Sequence, residues 1–256
     1  MWDAVVRLFF DLLLQIYHIV GDWGLAIIVF TVILRLLMTP LMIKQVRGMH
    51  EMQKHQPYLK EIQEKYKDDK EKQQQKILEY NSEHGVNYFG SCLPMLLQMP
   101  IFFALFQMLA APTEKKPLGG PLSEYLLASD SSTGSFFGII PDIMQSAGGA
   151  FEGQGWIAAI PYVIILVIFS LSIMVPQLMT PTADPSQKQT QRIMGVSMAA
   201  MMLFFGWSMP AGVLLYWDTS SIIGIAQQWF TQRTLKKTTE EAEEAEASSK
   251  KKSKKK

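Results

Sequence analysis

Two charged residues, Arg35 and Asp218, stand among the 102 positions of five apolar stretches, residues 23–43, 91–111, 157–179, 193–209 and 211–230, while the other 45 charges crowd into the remaining 154 residues. Apolar runs of roughly 20 residues match the roughly 30 Å hydrocarbon core of a bilayer at about 1.5 Å of rise per helical residue. The chain's averages, 48% hydrophobic with 24 Lys+Arg against 23 Asp+Glu, conceal this segregation. A soluble core has no use for five such helices. The stretches predict an all-α fold, a polytopic membrane helical bundle with five transmembrane helices.

The same reading excludes several chemistries. The single cysteine, Cys92, cannot form an intramolecular disulfide. No phosphate-binding G-x-x-x-x-G-K-[ST] loop, H-E-x-x-H or paired C-x-x-C occurs, and the four histidines all lie outside the five stretches. Neither nucleotide hydrolysis nor metal catalysis has a basis here, and no cofactor is expected.

Residues 1–22 place Asp3, Arg7, Asp11, Gln15 and His18 at intervals of four, four, four and three, on one helical face. An amphipathic helix lying in the membrane interface is expected. A sixth span would bury Arg7 and Asp11 at about 2.5 to 3.5 kcal/mol each. The run has no convincing small-residue cleavage site, so it is read as mature sequence rather than a signal peptide.

Residues 44–86 hold nine Lys/Arg and eight Asp/Glu, with apolar residues such as Leu59, Ile62 and Tyr66 at helical spacing. Lys67-Asp68-Asp69-Lys70 interrupts the pattern, which predicts a cytoplasmic helical hairpin rather than one rod. Residues 112–156 are rich in Gly, Ser and Pro and read as a long irregular extracytoplasmic loop. Residues 231–256 form a charged tail. Basic loops resist translocation, and counting Lys and Arg on alternate sides gives 20 against three. The N-terminus is therefore expected outside, and the hairpin and C-terminus in the cytoplasm.

Arg35 falls about 13 Å inside the cytoplasmic end of its span. A guanidinium keeps its proton, so it must meet water, a carboxylate, a substrate group or neighbouring carbonyls. Thr31 and Thr39, four residues to either side, extend a polar stripe. A functional polar cavity is the preferred reading, a structural arginine the alternative. Gln98, seven residues after Ser91, and Gln177, seven after Ser170, are candidates to line such a cavity, as are Trp217 and Ser221. Each alone is weak, because serine and glutamine in membrane helices more often make ordinary interhelical hydrogen bonds. Asp218 is the one anion in a span, about 12 Å from the outer boundary against about 18 Å for Arg35. An Arg35–Asp218 pair is one hypothesis for how the two charges are met.

Several stretches carry a family resemblance: Gly21-Asp22-Trp23-Gly24, Thr31 to Leu37, Pro40-Leu41, Gln56 to Tyr66, Glu83 to Asn87, Cys92 to Leu105, and Pro210 to Trp217 before Gln227-Gln228. Together, over roughly residues 15 to 235, they resemble the YidC/Oxa/Alb membrane protein insertase family in its five-span bacterial form. The large outer domain of the family's full-size form is expected to be missing. The resemblance implies a cytoplasm-open, positively charged hydrophilic groove in which Arg35 attracts acidic residues of nascent membrane proteins. Gln98, Gln177, Tyr216 and Trp217 would line or bound it, and the hairpin would be a mobile receptor element. It also implies location in the bacterial plasma membrane, with membrane lipids, the ribosome, the Sec translocon and the signal recognition pathway as candidate partners. The sequence departs from the family at Asp218 and Ser221, where an uncharged residue and Asn are usual, and in its longer outer loop.

The tail ends in Lys250, Lys251, Lys252, Lys254, Lys255 and Lys256. Such a run binds ribosomal RNA or anionic lipid by counterion release, or is simply a solvated tail; the resemblance favours a ribosome contact. The competing functions are a small transporter or channel using Arg35 and Asp218, and a non-conducting scaffold for assembling finished membrane proteins.

Overall fold

The structure, a computed structural model, describes residues 2–84, 89–109, 120–128, 134–179 and 185–253, and within these the side chains of 2–48, 55, 57–84, 98–109, 120–126, 134–176, 178 and 188–234. Among the described residues the regular elements are all helices, with turns and two isolated bridges between them: α1 (Trp2–Val20), α2 (Trp23–Lys65), α3 (Lys70–Glu83), α4 (Phe89–Met108), α5 (Pro121–Ala128), α6 (Ala147–Gln154), α7 (Trp156–Met179), α8 (Pro185–Gly206) and α9 (Ala211–Ser253). Two of them contain segments long and apolar enough to cross a membrane, Trp23–Gly48 and Trp156–Pro176, and Gln98–Met108 is a shorter apolar helix. The chain divides into two units, Met1–Leu37 with Leu97–Ile225, and Met38–Leu96 with Ala226–Lys256.

In the first unit, α1 is amphipathic as its spacing predicts. Val6, Phe10 and Leu13 are buried, and Asp3, Arg7, Asp11, Gln15 and His18 are exposed. The helix closes with the Gly21 amide donating to Tyr17 O at 2.7 Å. Asp22 then caps α2, its Oδ1 accepting from the Leu25 amide at 2.8 Å, which satisfies one of the orphan donors of a helix start. Trp23 anchors the corner, stacked on Tyr17 at 4.0 Å and edge-on to Tyr125 of α5 at 5.9 Å. The buried core joins Ala26, Ile27 and Phe30 of α2, Leu105 and Met108 of α4, Leu166 and Phe169 of α7, and Val213 and Leu214 of α9. The α7 helix packs on α6 and α8.

The stretch expected as an irregular loop is more structured than that. It holds α5 and α6, and residues 134–155 are bonded back onto the turn before α9. Gly148 donates to Trp207 O at 2.9 Å, Ala211 to Gln145 O at 2.9 Å and Gly212 to Ile143 O at 2.8 Å. Ser146 caps α6, its Oγ accepting from Gly149 at 3.0 Å. Tyr162 of α7 donates to the carbonyl of Asp142 at 3.0 Å, and Asp142 Oδ1 accepts from the Met144 amide at 2.8 Å. An eight-residue glycine-containing helix such as α6 has little intrinsic helicity, and this packing supplies what the sequence alone does not.

In the second unit α2 ends at Lys65, and the chain reverses through Tyr66–Asp69 into α3, at the charged interruption. Asp69 caps α3, Oδ1 accepting from Lys72 N at 3.0 Å. The two helices interlock: His55 Nδ1 and Tyr80 OH hydrogen-bond at 2.9 Å, Tyr58 stacks on Tyr80 at 6.1 Å, and Gln73 Nε2 donates to Gln63 O at 2.8 Å. Toward the other end of this unit Gln227 Nε2 of α9 donates to Thr39 Oγ1 of α2 at 2.8 Å. No helix break occurs at the boundary between residues 43 and 44. There the sequence changes from apolar to charged while the backbone hydrogen bonding of α2 continues.

Candidate polar site in the first unit

Helix α9 carries Tyr216, Ser220 and Gly224 at intervals of four, so all three lie on one face. Arg35 of α2 meets this face. Its Nε donates to Ser220 Oγ at 2.7 Å. Its guanidinium lies against Gly224, where an added Cβ would stand 3.3 Å from Nη1 and 3.5 Å from both Cζ and Nη2. Three nearly equal distances mean that the guanidinium plane lies flat over the glycine. A methyl group would just fit there, in near-contact with the guanidinium, and any larger side chain would displace it.

One turn closer to the start of α9, Tyr216 is 2% exposed and its hydroxyl accepts from Gln98 Nε2 of α4 at 2.6 Å. The same hydroxyl lies beside Ser220 and the Arg35 guanidinium. Gln98, Tyr216, Ser220 and Arg35 thus form a polar chain across α4, α9 and α2, helices that also supply Ile27, Leu105 and Val213 to the buried core. Trp217 bounds it, held edge-on between Phe102 of α4 at 5.7 Å and Phe169 of α7 at 5.6 Å. A half-buried fixed cation flanked by hydroxyl and amide groups can receive a polar or acidic group without requiring that group to stay fully hydrated.

The expected site residues are distributed unequally. Arg35, Gln98, Tyr216 and Trp217 come together. Thr31 is fully buried, but its hydroxyl is spent on Ile27 O of its own helix at 2.6 Å. Thr39 belongs to the second unit and pairs with Gln227 there. Ser170, named with Gln177, likewise turns back on Leu166 O at 3.0 Å. Gln177 and Lys250, Lys251, Lys252, Lys254, Lys255 and Lys256 lie outside the residues whose side chains are described. Ser221 is half-buried, and it is its neighbour Ser220 that meets Arg35. Ser220 and Gly224 were missed by the sequence reading, although the four-residue spacing from Tyr216 was a signal that could have found them.

The hypothesised Arg35–Asp218 pair is not formed. Asp218 precedes Ser220 by two residues, about 200° around a helix at roughly 100° per residue, and so faces away from the side that Arg35 occupies. Its carboxyl group is buried, with Oδ1 lacking any hydrogen-bond partner. Among the described residues no cluster of three or more His, Cys, Asp or Glu side chains could hold a metal ion.

Comparison with known proteins places this arrangement in context. The family described as 60Kd inner membrane protein matches residues 15–239. The membrane protein insertase YidC of Haemophilus ducreyi is 34% identical over 235 residues, covering 91% of this chain and 38% of that protein. Its namesake from Wolinella succinogenes is 33% identical over 236 residues, covering 89% and 37%. The chain therefore spans less than two-fifths of the length of these curated relatives. The crystal structure of an active YidC insertase with its first transmembrane domain resolved superposes with a TM-score of 0.61 at 27% identity, covering 88% of this chain and 46% of that one.

Proposed function

This chain belongs to the 60Kd inner membrane protein family, and from that premise we propose that it is a membrane protein insertase that moves polar segments of nascent membrane proteins across the bilayer without nucleotide hydrolysis. The observation that carries the reading is the polar chain from Gln98 through Tyr216 and Ser220 to Arg35, borne on helices that also build the apolar core. The names of the matched relatives support it.

The physical task is to lower one barrier. A polar or acidic segment in bare hydrocarbon costs several kcal/mol, because its hydrogen-bonding groups lose water and gain nothing. A half-buried guanidinium with adjoining hydroxyls replaces part of that hydration. The client's apolar segment then partitions downhill into lipid, so no other energy source is required. In this reading Arg35 attracts client carboxylates, Gln98 and Tyr216 contribute neutral donors and acceptors, and Trp217 bounds the apolar side. The five-span topology with the N-terminus outside, the bacterial plasma membrane, and a role for the hairpin and lysine tail toward the ribosome, the Sec translocon or the signal recognition pathway belong to the same proposal. The transporter reading has less support, since Arg35 and Asp218 face different sides and define no common path.

The test is insertion of a single-spanning client with an acidic outer segment into proteoliposomes holding this protein alone. Nucleotide-free insertion by wild type, lost in Arg35→Ala and partly kept in Arg35→Lys, is the expected result. Equal insertion by all three makes Arg35 structural. Solute flux without client insertion overturns the proposal in favour of a channel.

A further inference from the structure

Residues Phe136 to Ile139 make a tight turn, with the Ile139 amide donating to Phe136 O at 2.9 Å and the Phe136 amide to Ile140 O at 2.9 Å. Its two central residues both have positive φ, Phe137 at 47° and Gly138 at 68°. That is the backbone of a type I′ turn, whose first central position is normally Asn, Asp or Gly. A phenylalanine there is strained. Strain of this kind persists only where the surroundings impose it, and it is a pointer to function.

The surroundings do impose it. Asp22 Oδ2 accepts from the Phe137 amide at 2.7 Å while its Oδ1 caps α2, and the Gly24 amide donates to Ser135 O at 3.4 Å. Phe136 turns inward and fills the space over Gly24, where a Cβ would fall 2.2 Å from its ring. Phe137 and Ile139 turn outward, 61% and 64% exposed. No charged residue occurs between 134 and 141. A turn facing water is ordinarily built of Asn, Asp, Ser and Gly.

The position of the turn identifies what it faces. Gly24 lies in the first turn of the apolar segment Trp23–Gly48, and Asp142, two residues past Ile140, is bonded to Tyr162, near the start of Trp156–Pro176. The turn is therefore level with the same end of both segments, the depth at which hydrocarbon gives way to headgroups. Trp156, 65% exposed at the start of α7, is the kind of residue that marks this depth. We propose that the Phe137–Ile139 turn is a lipid-contacting tip that seats this end of the molecule in the headgroup boundary of the bilayer. The inference requires the chain to lie in a membrane and is independent of what the chain inserts.

The test labels Phe137→Cys and Ile139→Cys, in a Cys92→Ser background, with an environment-sensitive fluorophore in phosphatidylcholine and phosphatidylglycerol proteoliposomes. Ile164→Cys on the exposed face of α7 serves as the lipid control and Glu152→Cys on α6 as the water control. Probes at 137 and 139 are expected to be blue-shifted relative to 152, and quenched at least several-fold more by lipids with nitroxide near the headgroup than by aqueous iodide. Quenching that matches residue 152 places the turn in water and overturns the proposal. Protection from both quenchers would mean that protein covers the tip, which also overturns it. Labelling at 139 leaves the strained residue unaltered, so a Phe137→Cys variant that fails to fold does not remove the test.

Discussion

Arg35 and Ser220, 185 residues apart in sequence, are joined by a 2.7 Å hydrogen bond from the guanidinium Nε to the serine hydroxyl. Because the guanidinium also lies flat over Gly224, α9 fixes both the position and the plane of the charge. A lysine could supply charge at this place but not the Nε–H or the flat face.

Ser220→Ala is therefore expected to cost about 0.6 to 2 kcal/mol of stability in mixed-micelle unfolding, the upper end reflecting the charged donor. Gly224→Ala asks Nη1 to move by only a few tenths of an ångström and should be mild. Gly224→Leu displaces the guanidinium and should reduce client insertion about as much as Arg35→Ala. Normal insertion by Gly224→Leu would show that the seat is irrelevant.

Tyr216→Phe leaves the partly buried Gln98 amide without its 2.6 Å partner. A loss of roughly 1 to 2 kcal/mol is expected from the unpaired group. Adding Gln98→Leu should recover much of that loss, so a double-mutant cycle on the unfolding midpoint should give a non-zero coupling energy. Additive effects would mean that the two side chains do not bond.

Asp218 is buried with Oδ1 unpartnered, so Asp218→Val should stabilise the protein by roughly 1 to 3 kcal/mol. If Asp218 instead held Arg35, the same change would destabilise by about 3 to 5 kcal/mol by stranding a buried charge. The sign of the shift in unfolding midpoint separates the two.

Burial pushes the Asp142 carboxyl above the usual carboxylate range, with the Met144 and Gln145 amides opposing part of the shift. The folded state thus holds this proton more tightly than the unfolded chain does. The stability it contributes is complete below the unfolded value of about 4 and is lost as pH rises through the folded value. Thermal midpoints should fall over that interval. Asp142→Asn, which keeps an acceptor for Met144, should flatten the profile; an unchanged profile would assign the pH dependence to another group.

Much of this protein follows from local chemistry. The helix break at Lys67 to Lys70 was legible because a run of charges has no apolar side to pack and Asp69 is a natural cap. The faces of α1 were legible because polar residues recur every three to four positions. Arg35 was conspicuous because a charge inside an apolar run needs a partner. None of these features depends on where a distant segment lies. The partner itself could not be read in the same way. Ser220 carries no charge and Gly224 no side chain, and what makes them important is α2 arriving against their face of α9. The same holds for α6, whose residues have weak helical preference until Trp207 takes up the Gly148 amide and the start of α9 holds Ile143 and Gln145 just before the helix, and for Phe137, whose outward turn is imposed by Asp22. The sequence by itself determined where helices and charges fall, since propensity, capping and hydrophobic periodicity act within a few residues. Only the tertiary structure decided that Arg35 meets Ser220 rather than Asp218, because a difference of two residues is about 200° around a helix and which face is met depends on packing between segments far apart in the chain.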